Sequence, residues 1–274
     1  MRAPWIASRE AGDQRPTALV RPPSRAYARC IREDPSRPID VGRAQAQHTE
    51  YCAALAWAGC AVAWLAPEAD LPDACFVEDT AVVVGDLAVM TRPGAPAREP
   101  EVPSVRAFLA TRLRVVDMDR GHLDGGDVLV AGKTAFVGLS GRTNEEGARC
   151  LAGLLAEVGV EVRTVRVAGL LHLKTGATPL DDRRILARRG AFPAGTFEGY
   201  QVVETDEPYG STVLAIGGRA IVSTAAPRTA RRLEVEGLQV RPVDVTEFHA
   251  GDAGVTCLSI VLPWTADDRS VPSR

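Results

Sequence analysis

Apolar and polar positions along this chain fall into short runs that repeat in a fixed order. Residues 80–84 are apolar, Gly85-Asp86 supplies a turn, and residues 87–91 are apolar again. Two apolar runs joined by a two-residue glycine turn predict a β-hairpin. A Pro/Gly loop over 92–96 leads to a helical pattern over 102–112 and a strand at 113–116. The same order returns with a strand at 127–130, a turn at 131–133, a strand at 135–139, a helix over 144–157 and a strand at 160–165. Asn144 is the N-cap of that helix and Gly159 its C-terminal stop. A third copy has a strand at 211–216, Gly217-Gly218, a strand at 220–224, a helix over 229–236 and, after Gly237, a strand at 238–242. Residues 171–192 read as a degenerate copy. The last copy is split between the two ends: residues 257–262 pair with 18–21, and the helix 41–58 with the strand 60–65 completes it.

Five strand–strand–helix–strand units predict an α/β fold with a closed radial arrangement, because closure lets the last strand find the first and leaves no sheet edge unpaired. Residues 16–263 are expected to form one domain, since no linker, low-complexity stretch or charge block interrupts them. Residues 1–15 and 264–274 are polar or irregular and are expected to be loose tails.

Composition narrows the function classes. The chain is 46% hydrophobic and 24% charged with a net charge of −3, which suits a soluble globular protein and argues against nucleic acid or a membrane surface as its main partner. Residues 1–16 hold no continuous apolar run of the kind a secretory signal needs. The longest uncharged stretch, 51–67, contains Gly59 and is too short to span a bilayer. A cytoplasmic protein is therefore expected. Its six cysteines (30, 52, 60, 75, 150 and 257) show no C-x-x-C spacing, so free thiols are expected rather than a zinc site.

Several polar residues sit out of place in apolar surroundings, and at matching points of the repeat. They are Asp79, Asp124 with Asp127, His172 and Cys257, separated by 45 residues (79 to 124), 48 (124 to 172) and 85 (172 to 257, about two repeats). In a radial fold equivalent positions converge on the axis. A thiol there can act as nucleophile. A histidine can protonate a leaving amine and then activate water. Two carboxylates can hold a planar cation by paired charge-assisted hydrogen bonds. Taken singly, each has a plainer reading: a core cysteine, a structural histidine, a turn aspartate before Gly125-Gly126, and a strand-capping aspartate. The shared phase favours hydrolysis at the carbon of a guanidinium or amidinium group.

These residues lie in longer motifs: Leu71-Pro72-Asp73-Ala74-Cys75-Phe76-Val77-Glu78-Asp79, Thr91-Arg92-Pro93-Gly94-Ala95-Pro96, Leu123-Asp124-Gly125-Gly126-Asp127-Val128, Val137-Gly138-Leu139-Ser140-Gly141-Arg142-Thr143-Asn144, Leu171-His172-Leu173-Lys174 and Val255-Thr256-Cys257. In this order the chain resembles the dimethylargininases (dimethylarginine dimethylaminohydrolases) of the pentein superfamily over roughly residues 16–263. The resemblance implies a five-bladed α/β-propeller of ββαβ units that hydrolyses a dimethylated arginine without metal or organic cofactor, as a monomer or homodimer. It implies Cys257 as nucleophile, His172 as general acid and base, and Asp124 as the residue that orients the histidine. Asp79 would grip the guanidinium, with Glu78 in the same pocket. Arg98 and Arg142 would recognise the substrate carboxylate, and Asp73, Asp252 and Gly251 the amino-acid end. The arginines also admit a plainer reading as a solvated face or structural ion pairs. Arginine deiminases and amidinotransferases carry H-x-D at the histidine motif; here the third position is Lys174, which removes a carboxylate near one terminal nitrogen and suits a methylated one. Two stretches depart from the family pattern. Gly210-Ser211-Thr212 stands where a small residue followed by Asn is expected, and residues 21–27, expected to close over substrate, match poorly. Two alternatives follow from these differences: a pentein hydrolase acting on another guanidino compound, such as a modified arginine or arginine itself, or a non-catalytic guanidine-binding protein.

Overall fold

The structure is a computed structural model that describes residues 15–263. The assigned tails, apart from Arg15, lie outside the described residues. Fifteen strands form five three-stranded sheets. In chain order the elements are β1 (Thr17–Val20), α1 (Val41–Trp57), β2 (Ala61–Trp64), β3 (Ala81–Val84), β4 (Leu87–Met90), α2 (Val102–Leu109), β5 (Arg114–Asp117), β6 (Val128–Ala131), β7 (Thr134–Leu139), α3 (Glu145–Ala156) and β8 (Glu161–Arg166). They continue with α4 (Leu173–Gly176), β9 (Ala177–Pro179), β10 (Arg184–Arg188), β11 (Gln201–Thr205), β12 (Leu214–Ile216), β13 (Arg219–Ser223), α5 (Pro227–Val235), β14 (Gln239–Val243), α6 (Thr246–His249) and β15 (Ser259–Leu262).

Each sheet repeats one register. A first strand pairs antiparallel with a second, and the second pairs parallel with a third, as in β3–β4–β5 and β6–β7–β8. The parallel step needs a crossover, which α2, α3 and α5 supply in three of the units. The fifth unit is the expected split one: β15 pairs antiparallel with β1, with Leu19 opposite Ile260, and β1 pairs parallel with β2 across α1. Local chemistry sets the helix ends, at Asn144 and Gly159 as the sequence implied. Asp40 caps α1 by accepting from the Arg43 amide at 3.0 Å, and Asn144 caps α3 by accepting from Gly147 at 2.8 Å. Gly159, at φ +73°, turns the chain out of α3.

The first strands of the five units line a narrow cavity of about 220 Å³ on the axis. Core clusters lie between neighbouring units: Val82, Leu87 and Val89 pack with Val128, Ala135 and Val137 and with Leu151 and Leu155 of α3. The architecture is thus the five-bladed α/β-propeller that the sequence implied. No helix among the described residues is long and apolar enough to cross a membrane. All six cysteines are free, and all but Cys257 are buried.

Two expectations need correction. The degenerate unit does not end at residue 192. It runs on to β11, at 201–205, and the segment joining β10 to β11 forms no helix. That segment holds Gly190, Pro193, Gly195 and Gly199 in place of a helical apolar stripe. β11 is mostly exposed, with only Val203 and Thr205 buried, so it carries little hydrophobic signal. Three aromatics do the covering: Phe197 and Tyr200 pack edge-on to Phe136 of β7, at 5.1 and 5.4 Å between ring centroids, and Phe192 packs on Phe197. The segment 21–27, expected to close over substrate, is instead packed into the body of the protein. Arg21 and Tyr27 are fully buried, and Tyr27 sits between Phe76 and Phe248.

Since Phe136 is the anchor for an otherwise helix-free blade, Phe136→Ala should cost about 3–5 kcal/mol of unfolding free energy by urea titration. A cost near zero would mean that the aromatic cluster does not hold that blade.

Candidate active site

A short helical turn stands immediately before the first strand in four of the five blades: 77–80 before β3, 125–127 before β6, α4 before β9, and 256–258 before β15. The turn 77–80 packs against both 125–127 and 256–258, and 125–127 packs against α4. Asp79, Asp124, His172 and Cys257 lie in these turns or at their N-caps, which is why their spacing follows the repeat. The glycines make the approach possible. A Cβ on Gly125 would lie 2.1 Å from the Glu78 carbonyl oxygen, and one on Gly126 would lie 2.6 Å from the Asp79 carboxylate.

His172 Nε2 is 3.0 Å from Asp124 Oδ2, and its Nδ1 faces Asp79 Oδ1 at 3.9 Å. Asp124 is fully buried; its other oxygen accepts from the Gly94 amide at 2.8 Å, and its own amide donates to Thr143 Oγ1. Asp79 accepts from the Gly126 amide at 2.9 Å and from Arg98 Nη1. Burial opposes charge on Asp79, but the neighbouring His172 and Arg98 cations, with hydrogen bonds from Arg98 and Gly126, outweigh it and hold the carboxyl down at about 2. Burial likewise disfavours an imidazolium at His172, yet Asp79, Asp124 and Asp127 raise it to about 9. Cys257 is partly exposed. Burial of its thiol and the carboxylates of Glu78 and Asp79 push it up to about 12.

Glu78 pairs with Lys174 at 2.7 Å, and its second oxygen has no hydrogen-bond partner. Burial raises the Glu78 carboxyl above its ordinary range, against the pull of Lys174. Both residues line the axial cavity. Arg142 is partly exposed and reaches Asp124 at 3.8 Å. Asp73 and Asp252 do not point into open space. Asp73 accepts from the Ile31 amide at 3.1 Å, and the Asp252 carboxylate accepts from the Glu33 amide, so the two fasten the segment after residue 30. Gly251 is buried beside Tyr27, and a Cβ there would lie 2.6 Å from the Tyr27 hydroxyl.

Arg98 departs from its expected place. It is only 4% exposed, not in a solvated loop. Its guanidinium is held by Glu101, by Asp79 and by the carbonyls of Asp73 and Phe76. In this structure it is an ion-paired support for Asp79 and does not present itself to a substrate carboxylate. The Glu101 signal could have been read from the i,i+3 spacing. Asp127 had no separate role in the sequence reading. It accepts from Ser140, from Thr143 and from the Leu173 amide at 2.8 Å, and so fixes the start of α4 beside His172. Asp79, Asp124 and His172 bring one ligand atom each within 4.8 Å of one another, a spacing a metal ion could use. In this structure Asp79 is hydrogen-bonded to Gly126 and Arg98, and Asp124 to Gly94 and to His172 Nε2.

The high His172 value fixes the sign of a pH effect. A folded-state value near 9, above the ordinary 6.5, means that the His172 pairings stabilise the fold fully below pH 6.5 and that this contribution is lost as pH rises through about 9. A Cβ on Gly126 would also lie 2.7 Å from His172 Nδ1. Gly126→Ala should therefore separate Asp79 from His172 and lower the imidazole titration, followed by NMR, from about 9 toward 6.5. A titration unchanged in the variant would contradict this arrangement.

Comparison with known proteins agrees with the geometry. The arginine deiminase family profile matches residues 68–190. An N(G),N(G)-dimethylarginine dimethylaminohydrolase of Streptomyces coelicolor is 36% identical over 251 residues, covering 89% of this chain and 96% of its own. The enzyme of that name from Pseudomonas aeruginosa is 29% identical over 248 residues, covering 88% and 97%. A solved structure of the Pseudomonas aeruginosa protein, a cysteine-to-serine mutant complexed with citrulline, superposes with a TM-score of 0.87 at 28% identity over 91% of this chain and all of that one. The N-terminal domain of ArgZ, an arginine dihydrolase from cyanobacteria, shares the fold with a TM-score of 0.79 at 20% identity. The chain belongs to the dimethylarginine dimethylaminohydrolase family of the pentein superfamily and is a hydrolase acting on C–N bonds.

Proposed function

We propose that this protein hydrolyses Nω,Nω-dimethyl-L-arginine, and the monomethylated form, to L-citrulline and the free amine through a covalent thioether on Cys257. The observation that carries this reading is the meeting of Asp79, Asp124 and His172 in adjoining turns, with the Cys257 turn packed on that of Asp79. A carboxylate has about four acceptor positions. Gly126 and Arg98 use part of those on Asp79, leaving the remainder for a substrate guanidinium.

The thiol at rest is neutral, because burial and two carboxylates oppose its ionisation. A guanidinium bound on Asp79 brings a positive charge to that field and favours the thiolate, whose proton passes to solvent water and is regained from it when the thiolate leaves at the end of the cycle. Sulfur attacks the central guanidinium carbon. His172, protonated at neutral pH, gives the proton to the departing dimethylamine as the C–N bond breaks. Its Nδ1 faces the Asp79 subsite while Nε2 stays on Asp124, so Nδ1 is the nitrogen placed for that transfer. The neutral imidazole then takes a proton from water, which attacks the thioether carbon. Loss of the thiolate leaves citrulline. Arg142 is the guanidinium left to meet the substrate carboxylate, since Arg98 is committed to Asp79 and Glu101. Asp73, with the backbone of Gly251 and Asp252, is assigned the amino end. The Glu78–Lys174 pair occupies the place where a second carboxylate would grip an unmethylated nitrogen, which favours the dimethylated substrate over arginine.

Release of dimethylamine and citrulline from asymmetric dimethylarginine should be lost on Cys257→Ser, by at least about a thousandfold in kcat. A folded native chain with no turnover would rule out this substrate and direct attention to other guanidines. Alkylation of unliganded Cys257 by neutral iodoacetamide should be slow at neutral pH and rise about tenfold per pH unit as the thiolate fraction grows. A fast, pH-independent rate near pH 7 would overturn the neutral resting thiol.

A further inference from the structure

Four blades carry a chemical residue in the turn before their first strand. The remaining blade has the turn 209–212 before β12, and it carries none of the four groups. Its residues nevertheless join the neighbours on both sides. Toward His172, the Ser211 hydroxyl donates to the Thr175 carbonyl at 2.7 Å, and Thr178 donates its hydroxyl to the Ser211 carbonyl at 2.9 Å. Thr175 in turn accepts the His172 amide at 3.3 Å. Toward Cys257, Thr212 packs directly on the backbone of Gly254, where a Cβ would lie 2.4 Å from the Thr212 side chain. Tyr209 lies flat on the imidazole of His249, with centroids 3.6 Å apart and planes 2° from parallel.

His249 ends α6 and begins the loop that runs through Gly251 and Asp252 to Cys257. It is buried, and its Nε2 has no hydrogen-bond partner. Tyr209 stands at φ +58°, a backbone conformation that side-chain-bearing residues rarely adopt without compensation. Thr212 accounts for part of that compensation by donating its hydroxyl to the Tyr209 carbonyl at 2.9 Å. With this left-handed backbone the ring lies on His249.

We propose that Tyr209 is a positioning residue, whose stack on His249, together with Ser211 and Thr212, braces the Cys257 loop against the His172 turn and so sets how nucleophile and acid–base group face a bound guanidinium. This rests on the roles given above to Cys257 and His172. The turn 209–212 closes the ring that the other four turns leave open. Ser211 and Thr212 of this brace lie in the stretch 210–212 where the sequence departs from the family pattern.

Tyr209→Gly removes the ring and relieves the backbone, while Tyr209→Phe keeps the stack. In Tyr209→Gly, kcat per alkylatable Cys257 should fall about tenfold with KM within about twofold, as expected of a small misplacement of reacting groups. Tyr209→Phe should restore the native values. The His172 imidazole NMR resonance and the Cys257 alkylation rate should shift in Tyr209→Gly and return in Tyr209→Phe. Neither of these needs substrate, so they decide the brace even if the native chain leaves dimethylarginine untouched and the substrate reading fails. Native kcat and unshifted signals in folded Tyr209→Gly would overturn the proposal, as would equal impairment in Tyr209→Phe, which would place the effect in the hydroxyl. Should Tyr209→Gly not fold, Ser211→Ala decides through the other half of the brace: lowered kcat at constant KM supports it, and native kcat overturns it.

Discussion

Asp79 carries a full negative charge at a point nearly closed to water, and the site is arranged around what that charge requires. A buried carboxylate is costly unless cations and amides surround it. Here the partners are Arg98, the Gly126 amide and the charged His172. Each ties in a further element. Arg98 brings Glu101 and the carbonyls of 73 and 76. Gly126 brings the turn before β6, and Thr91 donates to the Asp79 carbonyl at 2.7 Å. Burial opposes charge on both His172 and Cys257; Asp79, with Asp124 and Asp127, holds His172 protonated, and Asp79 adds to burial and Glu78 in keeping the Cys257 thiol neutral.

The fold delivers that constraint by repetition. Because each first strand faces the axis, the turn before it ends near the axis too, and short turns from different blades come within hydrogen-bond reach. Splitting the last blade between the two ends of the chain places Cys257 in such a turn while β15 closes the sheet against β1. Closure and the position of Cys257 are one structural event. The blade without a crossover helix survives because aromatic packing on Phe136 replaces the missing apolar stripe.

Much of this was legible in the sequence, for reasons that also mark where legibility stops. Hairpins joined by glycine turns, the Asn144 cap and the split last blade are local signals or repeat signals and are present, although the strand read over 211–216 begins only at Leu214. The common phase of Asp79, Asp124, His172 and Cys257 was visible because the repeat itself carries it. Arg98 was assigned to the substrate carboxylate by resemblance, and its contacts match instead the plainer reading as a structural ion pair. Its burial depends on Asp79, nineteen residues earlier, which no local pattern reports. Residues 21–27 failed similarly: an arginine followed by two prolines looks exposed, yet Arg21 is buried by contacts to Ala74 and Ser104 far along the chain. The supporting hydrogen bonds of Gly94 and Asp127 are long-range and leave no periodic trace.

The charge balance of the resting site bears on what it can accept. Asp79 is offset by Arg98 and His172, and Glu78 meets Lys174. The thiol stays neutral because adding a third anion beside Glu78 and Asp79 is unfavourable. An anionic or neutral ligand on Asp79 leaves that situation unchanged. A cationic one changes it in the direction that ionises Cys257, so under the proposed reading the nucleophile is formed only when a guanidinium-like ligand is present. Burial then serves chemistry as well as packing: in a solvated site the thiolate fraction at neutral pH would not depend on the ligand, and the thiol would stand open to oxidation and stray electrophiles. Lys174 fits the same logic. Its ammonium offsets the Glu78 carboxylate and opposes the field that keeps the Cys257 thiol neutral, which under the proposed reading leaves Asp79 to meet the bound cation.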